Sequence, residues 1–162
     1  MYIIMDKEYM QKACDLASLS ITRKCGPFGA IIVKNDTGEI IGRGHNMVTL
    51  LKDPTLHAEM VAIKDACHNI DDFKLEGCTL YTSCEPCPMC LSAAYWAHIP
   101  TIYYGNTKID AKNIGFDDAF IYEELNKDAK DKSIKMIHAE ESIEYAKKAF
   151  DEWKKKEDKI PY

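Results

Sequence analysis

The chain has 162 residues, with 21 Lys plus Arg against 26 Asp plus Glu, so its net charge is −5. An apolar fraction of 46% beside a charged fraction of 29% is that of a globular domain and excludes intrinsic disorder. No apolar run approaches the roughly 18–20 residues of a membrane span, and the acidic balance gives no broad field for nucleic acid.

Strands and helices alternate along one domain, residues 1–162. Met10, Ala13, Cys14, Ala17 and Leu19 stand at helical spacing and predict a helix from Asp6 to about Ile21. Gly26-Pro27-Phe28-Gly29 breaks it, and Ala30 to Val33 reads as a buried strand. The turn Asn35-Asp-Thr-Gly38 leads into a hairpin partner, Glu39 to Gly44. A loop with Asp53-Pro54 precedes a helix from about Thr55 to Asn69. Cys78 to Thr82 is a strand. Pro86 and Pro88 punctuate a loop that opens a helix through Ala97, and Pro100 stops it before a strand at Thr101 to Tyr104. Ile109 to Asp118 reads as a loop with a short helical turn, and Ala119 to Leu125 as a short helix. Ile134 to Ile137 is a candidate last strand, and Ser142 to about Lys155 a C-terminal helix. Helices between strands predict an α/β layered fold around a central sheet.

Seven cysteines, an odd number, argue against a disulfide framework. The start, Met1-Tyr-Ile-Ile-Met-Asp-Lys-Glu, meets acid and base too early for a signal peptide. Together they predict a reducing, cytoplasmic setting. There, clustered cysteines point to a metal or to catalysis, and Cys84, Cys87 and Cys90 are clustered.

Cys87 and Cys90 are three apart, so a helical turn puts both sulfurs on one side. A helix N-terminus favours their thiolates. His57 adds an imidazole from the start of another helix, and this donor set suits zinc. Three protein ligands leave the fourth tetrahedral position open, which marks a catalytic centre, where the metal activates a water. Glu59, two residues from His57, is placed to take that water's proton and hand it on. A redox pair, or a structural site that recruits Cys84 as a fourth ligand, is the competing reading. H-x-E with P-C-x-x-C is the signature of zinc nucleobase and nucleoside deaminases.

The stretch from Gly26 to Leu125 resembles the cytidine-deaminase-like superfamily. The residues that carry the likeness are Gly26-Pro-Phe-Gly-Ala30, His45-Asn46, Asp53-Pro-Thr-Leu-His-Ala-Glu59, Tyr81-Thr-Ser-Cys-Glu-Pro-Cys-Pro-Met-Cys90 and Gly115-Phe-Asp-Asp118. Among its branches the chain looks most like bacterial guanine deaminases, through Gly-Phe-Asp-Asp and a tail that ends in an aromatic residue. The resemblance implies a three-layer α/β/α fold with a mixed five-stranded sheet. It implies one zinc per chain on His57, Cys87 and Cys90, with Glu59 as proton shuttle. It implies a homodimer in which a C-terminal segment, about 140–162, swaps across so that Tyr162 completes the partner's pocket.

The reaction it implies is hydrolysis of guanine to xanthine and ammonia, in purine catabolism. Asn46 and Asp118 would then hold the base. Phe28 and Trp96 would wall it, and the Ala58 N–H would steady the intermediate. Each of these has a plainer reading: core packing for Phe28 and Trp96, a helix cap for Asp118, loop support for Asn46, a frayed end for Tyr162. The alternative functions are deamination of transfer-RNA adenosine or of guanosine, and a non-catalytic zinc-stabilised binding protein.

Overall fold

The computed structural model describes residues 6–161. The chain divides into two compact units, Met1–Tyr122 and Glu123–Tyr162.

In the first unit α1 (Lys7–Thr22) opens on Asp6, whose carboxylate accepts from the Glu8 N–H at 2.8 Å. It ends at Arg23, whose N–H donates to the Ser20 carbonyl at 3.0 Å, and Lys24, in the left-handed conformation that turns the chain, donates to that of Ile21 at 2.9 Å. β1 (Gly29–Lys34) and β2 (Ile40–His45) form the predicted hairpin, with a bulge between Ile32 and Val33. α2 (Val48–Leu51), a single turn, was not expected. α3 (Ala58–Ile70) starts three residues later than the spacing predicts, because Asp53 bends the chain by accepting from Thr55 N and Oγ1 at 2.8 and 2.6 Å. β3 (Cys78–Cys84), α4 (Pro88–Trp96), β4 (Thr101–Asn106) and α5 (Lys108–Asn113) come next, and the unit boundary falls within α6 (Ala119–Asn126).

The sheet runs β2-β1-β3-β4, with β1 antiparallel to both neighbours and β3 parallel to β4. It is therefore mixed, as expected, but among the described residues it has four strands rather than five. Alternation along β1 sorts two cores. Ala30 and Ile32 join Ala58, Ala62 and Ala66 of α3, while Ile31 and Val33 join Ala13 of α1. The sheet thus lies between helices on both faces. Small residues let the helices come close. A Cβ on Gly29 would stand 2.2 Å from the Ala13 carbonyl oxygen, and one on Gly44 2.1 Å from that of Ala58. The second contact fixes the first turn of α3, which carries the chemistry.

The second unit holds 3₁₀ turns at Ala129–Asp131 and Glu140–Ser142 and then α7 (Ile143–Lys155). The expected strand at Ile134–Ile137 is irregular, with both isoleucines more than three-quarters exposed. Its backbone finds no ladder partner among the described residues, and four residues without a neighbour do not make a strand.

Candidate functional site

Two helix starts converge. His57 is the N-cap of α3 and Cys87 the N-cap of α4, both with extended backbone, and neither side chain caps its own helix. Pro88 takes the first position of α4, where its missing N–H leaves no bond unmade. The side chains of both caps are thereby left to meet. His57 Nδ1 lies 3.5 Å from Cys87 Sγ and 3.6 Å from Cys90 Sγ, and the three ligand atoms all fall within 4.8 Å of one another. Tetrahedral zinc with ordinary Zn–S and Zn–N bonds separates N from S by about 3.5 Å. The donor set and its spacing fit zinc.

The two thiols are held in opposite directions. The Cys90 S–H, then the His57 ring, donate toward Cys87 and hold its thiol down at about 4 against burial. That same bond, with burial, pushes the Cys90 thiol up. Cys84 stands apart. Its S–H points at the Thr107 carbonyl at 3.7 Å, burial pushes it up to about 11, and it is not in the ligand group. The fourth-ligand reading of Cys84 thus finds no support in the geometry.

Glu59, in the first turn of α3, is buried, and its Oε1 accepts from the buried Thr82 hydroxyl at 2.9 Å. Burial raises its pKa, and its hydrogen bonds only partly offset that. His57, Glu59 and Cys87 line one cavity of about 820 Å³ together with Phe28, Asn46 and Asp118. Phe28 stands edge-on to Phe116, ring centres 5.0 Å apart, so both rings belong to the wall. Asp118 Oδ1 is enclosed and has no hydrogen-bond partner in the protein. Burial first, then the nearby Cys87, raises its pKa. The helix-cap reading passes to its neighbour, since Asp117 Oδ1 accepts from the Ala119 N–H at 3.0 Å and Asp117 also pairs with Lys112.

Two expected side chains lie away from the cavity wall. The Ala58 side chain is wholly buried in the core against β2. Trp96 is 64% exposed and also off the wall. Six residues beyond Cys90 on α4, it is carried about 9 Å further along the helix. Tyr162 lies outside the described residues. Conversely, sequence reasoning missed Glu85 and Lys108. Glu85 Oε2 accepts from the Lys108 N–H at 3.0 Å, and the Lys108 ammonium lies 5.0 Å over the Tyr122 ring. Tyr122 in turn donates to the Pro86 carbonyl at 3.1 Å, which braces the turn ahead of Cys87. The only signal for this brace in the sequence is the place of Glu85 and Pro86 inside the cysteine motif.

Residues 4–106 match the family described as the cytidine and deoxycytidylate deaminase zinc-binding region. The chain belongs to this family. It is 47% identical over 127 residues to guanine deaminase of Bacillus subtilis strain 168, covering 78% of this chain and 80% of that protein. It is 44% identical over 117 residues to a tRNA-specific adenosine deaminase of Aquifex aeolicus, covering 72% and 75% respectively. The crystal structure of guanine deaminase from Bacillus subtilis superposes with a TM-score of 0.88 at 41% identity, over 98% of this chain and 99% of that one. The family is described by its zinc-binding region, and the cluster of His57, Cys87 and Cys90 is one that could hold that metal. No helix among the described residues is long and apolar enough to cross a membrane.

Proposed function

We propose that this protein hydrolyses guanine to xanthine and ammonia. The observation that carries the reading is the clustering of His57, Cys87 and Cys90 at a cavity that His57, Cys87 and Glu59 line, in a chain whose likeness to a guanine deaminase runs along most of its length.

Zinc, one per chain on His57, Cys87 and Cys90, supplies a water acid enough to act as nucleophile near neutral pH. Glu59 moves the protons. Thr82 occupies Oε1, so Oε2 is the oxygen left to carry them. One proton of the water ends on a ring nitrogen beside C2, and the second on the departing 2-amino group. The products balance as xanthine and ammonia. Asp118 accepts from guanine N–H groups, an edge that adenine and cytosine present differently. Its unpartnered buried oxygen supports this role, because a ligand that donates there relieves the cost of burying it. Asn46 offers its side chain to the ring, and Phe28 walls the base. The substrate is a small purine rather than a polynucleotide.

The protein works as a cytoplasmic homodimer in which residues of about 140–162 exchange between chains and bring Tyr162 to the partner's pocket. The exposed aromatic side chains of α7, Tyr145, Phe150 and Trp153, support that exchange, since such residues are normally covered. Truncation before Asp158 should lower guanine turnover more than zinc content. Unchanged kinetics would take Tyr162 out of the site.

The deciding experiment is ammonia release by zinc-loaded protein offered guanine, guanosine, adenine, cytosine or an anticodon stem-loop with adenosine at the wobble position. Release from guanine alone, abolished in Glu59→Ala with zinc retained, is the expected result. Release from guanosine or the stem-loop instead would transfer the protein to a nucleoside or RNA substrate. Zinc binding with no release from any of the five would favour a non-catalytic binding protein.

A further inference from the structure

Asn46 is held on three sides, and one of those holds runs out to the surface. Its backbone N–H donates to the Phe28 carbonyl at 3.0 Å, and its Oδ1 accepts from the Val48 N–H at 3.2 Å. Its carbonyl oxygen lies 2.9 Å from His45 Nδ1 and 3.1 Å from the Ser20 hydroxyl. Ser20 also reaches the Gly26 carbonyl, at 2.7 Å, so its single proton is divided between two acceptors. His45 is therefore the second donor that the Asn46 carbonyl needs.

A neutral imidazole donates from one nitrogen only. The other, Nε2, lies 3.3 Å from Arg23 Nη1. A guanidinium has donors and no acceptor, so Nε2 must accept. The proton is then left on Nδ1, where it faces the Asn46 carbonyl. In the opposite tautomer two lone pairs would face each other across 2.9 Å. His45 and Asn46 are buried, while Arg23 is exposed just past the end of α1.

We propose that Arg23 and His45 are positioning residues: Arg23 fixes the His45 tautomer, and His45 Nδ1–H sets the Asn46 backbone so that its side-chain Nδ2 is presented to the cavity. The part that concerns the base rests on the guanine reading above, whereas the tautomer does not.

The test uses the zinc-loaded full chain labelled with ¹⁵N-histidine, with His45 assigned by its loss in His45→Asn. Long-range proton–nitrogen correlation should show His45 as the neutral Nδ1–H form. Arg23→Ala should move it toward Nε2–H and speed hydrogen exchange at the Val48 amide, with zinc content unchanged. The guanine KM should rise about tenfold, which corresponds to about 1.4 kcal/mol, with kcat within about twofold. His45→Leu, which has no donor, should reproduce that KM. His45→Asn, whose amide still reaches the carbonyl from the Nδ1 position, should restore most of it. An Nε2–H form in the wild type, or a tautomer and a Val48 amide indifferent to Arg23→Ala, would overturn the proposal. A wild type that does not turn over guanine would sink the guanine reading instead, and the tautomer and the Val48 amide would still decide the pair.

Discussion

Glu59 and Asp118 are two carboxylates on one cavity with opposite commitments. Glu59 has Thr82 on one oxygen, while Asp118 has an enclosed oxygen with no protein partner. A buried carboxylate oxygen without a donor destabilises the fold, and the charged group costs more to bury than the neutral amide of the same shape. Asp118→Asn should therefore leave the melting temperature unchanged or raise it, while guanine kcat/KM falls about 10- to 100-fold, the usual worth of a charged hydrogen bond. Calorimetry and kinetics on the same sample check both halves. A large loss of stability would assign Asp118 to the fold. The cluster of His57, Cys87 and Cys90 is legible in the sequence because a C-x-x-C spacing on a helical turn puts both sulfurs on one side, beside an H-x-E. Asp118 is not legible in the same way. Asp117 and Asp118 are identical neighbours, and only the hydrogen bond from Ala119 to Asp117 tells the cap from the free acid.

Among elements, α3 places His57 and Glu59 only as well as the sheet places α3. Gly44→Ala would put a Cβ at 2.1 Å from the Ala58 carbonyl and 2.5 Å from the Ala62 nitrogen, both backbone atoms, so the helix must shift. A loss of about 1–3 kcal/mol is expected for such overpacking, together with weaker zinc retention against a chelator. An unmoved chelation curve would mean that α3 tolerates displacement without disturbing its ligands. The element order was legible because periods of 2 and 3.6 alternate clearly through Asn106. Past it, the pattern misleads. Ile134, Met136 and Ile137 have the composition of a strand, but pairing depends on a neighbour that composition does not encode.

In the second unit Glu124 ties the chain beyond α6 back to the helix. Its carboxylate accepts from Ser133 N and Oγ at 2.7 and 2.9 Å and pairs with Lys127. Lys127, then Ser133, hold its pKa down at about 2. Because the folded value is depressed, this turn is stabilised above the ordinary carboxylate value and loses that support as pH falls toward 2. The Ser133 amide resonance should track that titration, and Glu124→Gln should abolish the shift.

For the molecule as a whole, zinc held by His57 and Cys87 would crosslink helix starts whose sequence positions are 30 residues apart. A ligand that binds only the folded state stabilises it by mass action. Chelation should therefore lower the melting temperature by several degrees, reversibly on adding zinc back, and a melting curve indifferent to chelator would separate the metal from the fold. Family membership was legible at this scale from two short motifs, because they fix chemistry that few other arrangements satisfy. The division at Tyr122 was not. It lies inside a continuous helix, where no glycine, proline or change of composition marks it.

That His57 and Cys87 occupy N-cap positions without capping sets a trap for anyone who would engineer this protein. Ser, Thr, Asp or Asn at either position would satisfy a helix end that now goes without its side-chain bond, a gain of about 1 kcal/mol apiece. A library sorted for heat resistance in metal-free buffer, with no screen for turnover, should accumulate those four residues at 57 and 87. Its most robust winners would be catalytically dead.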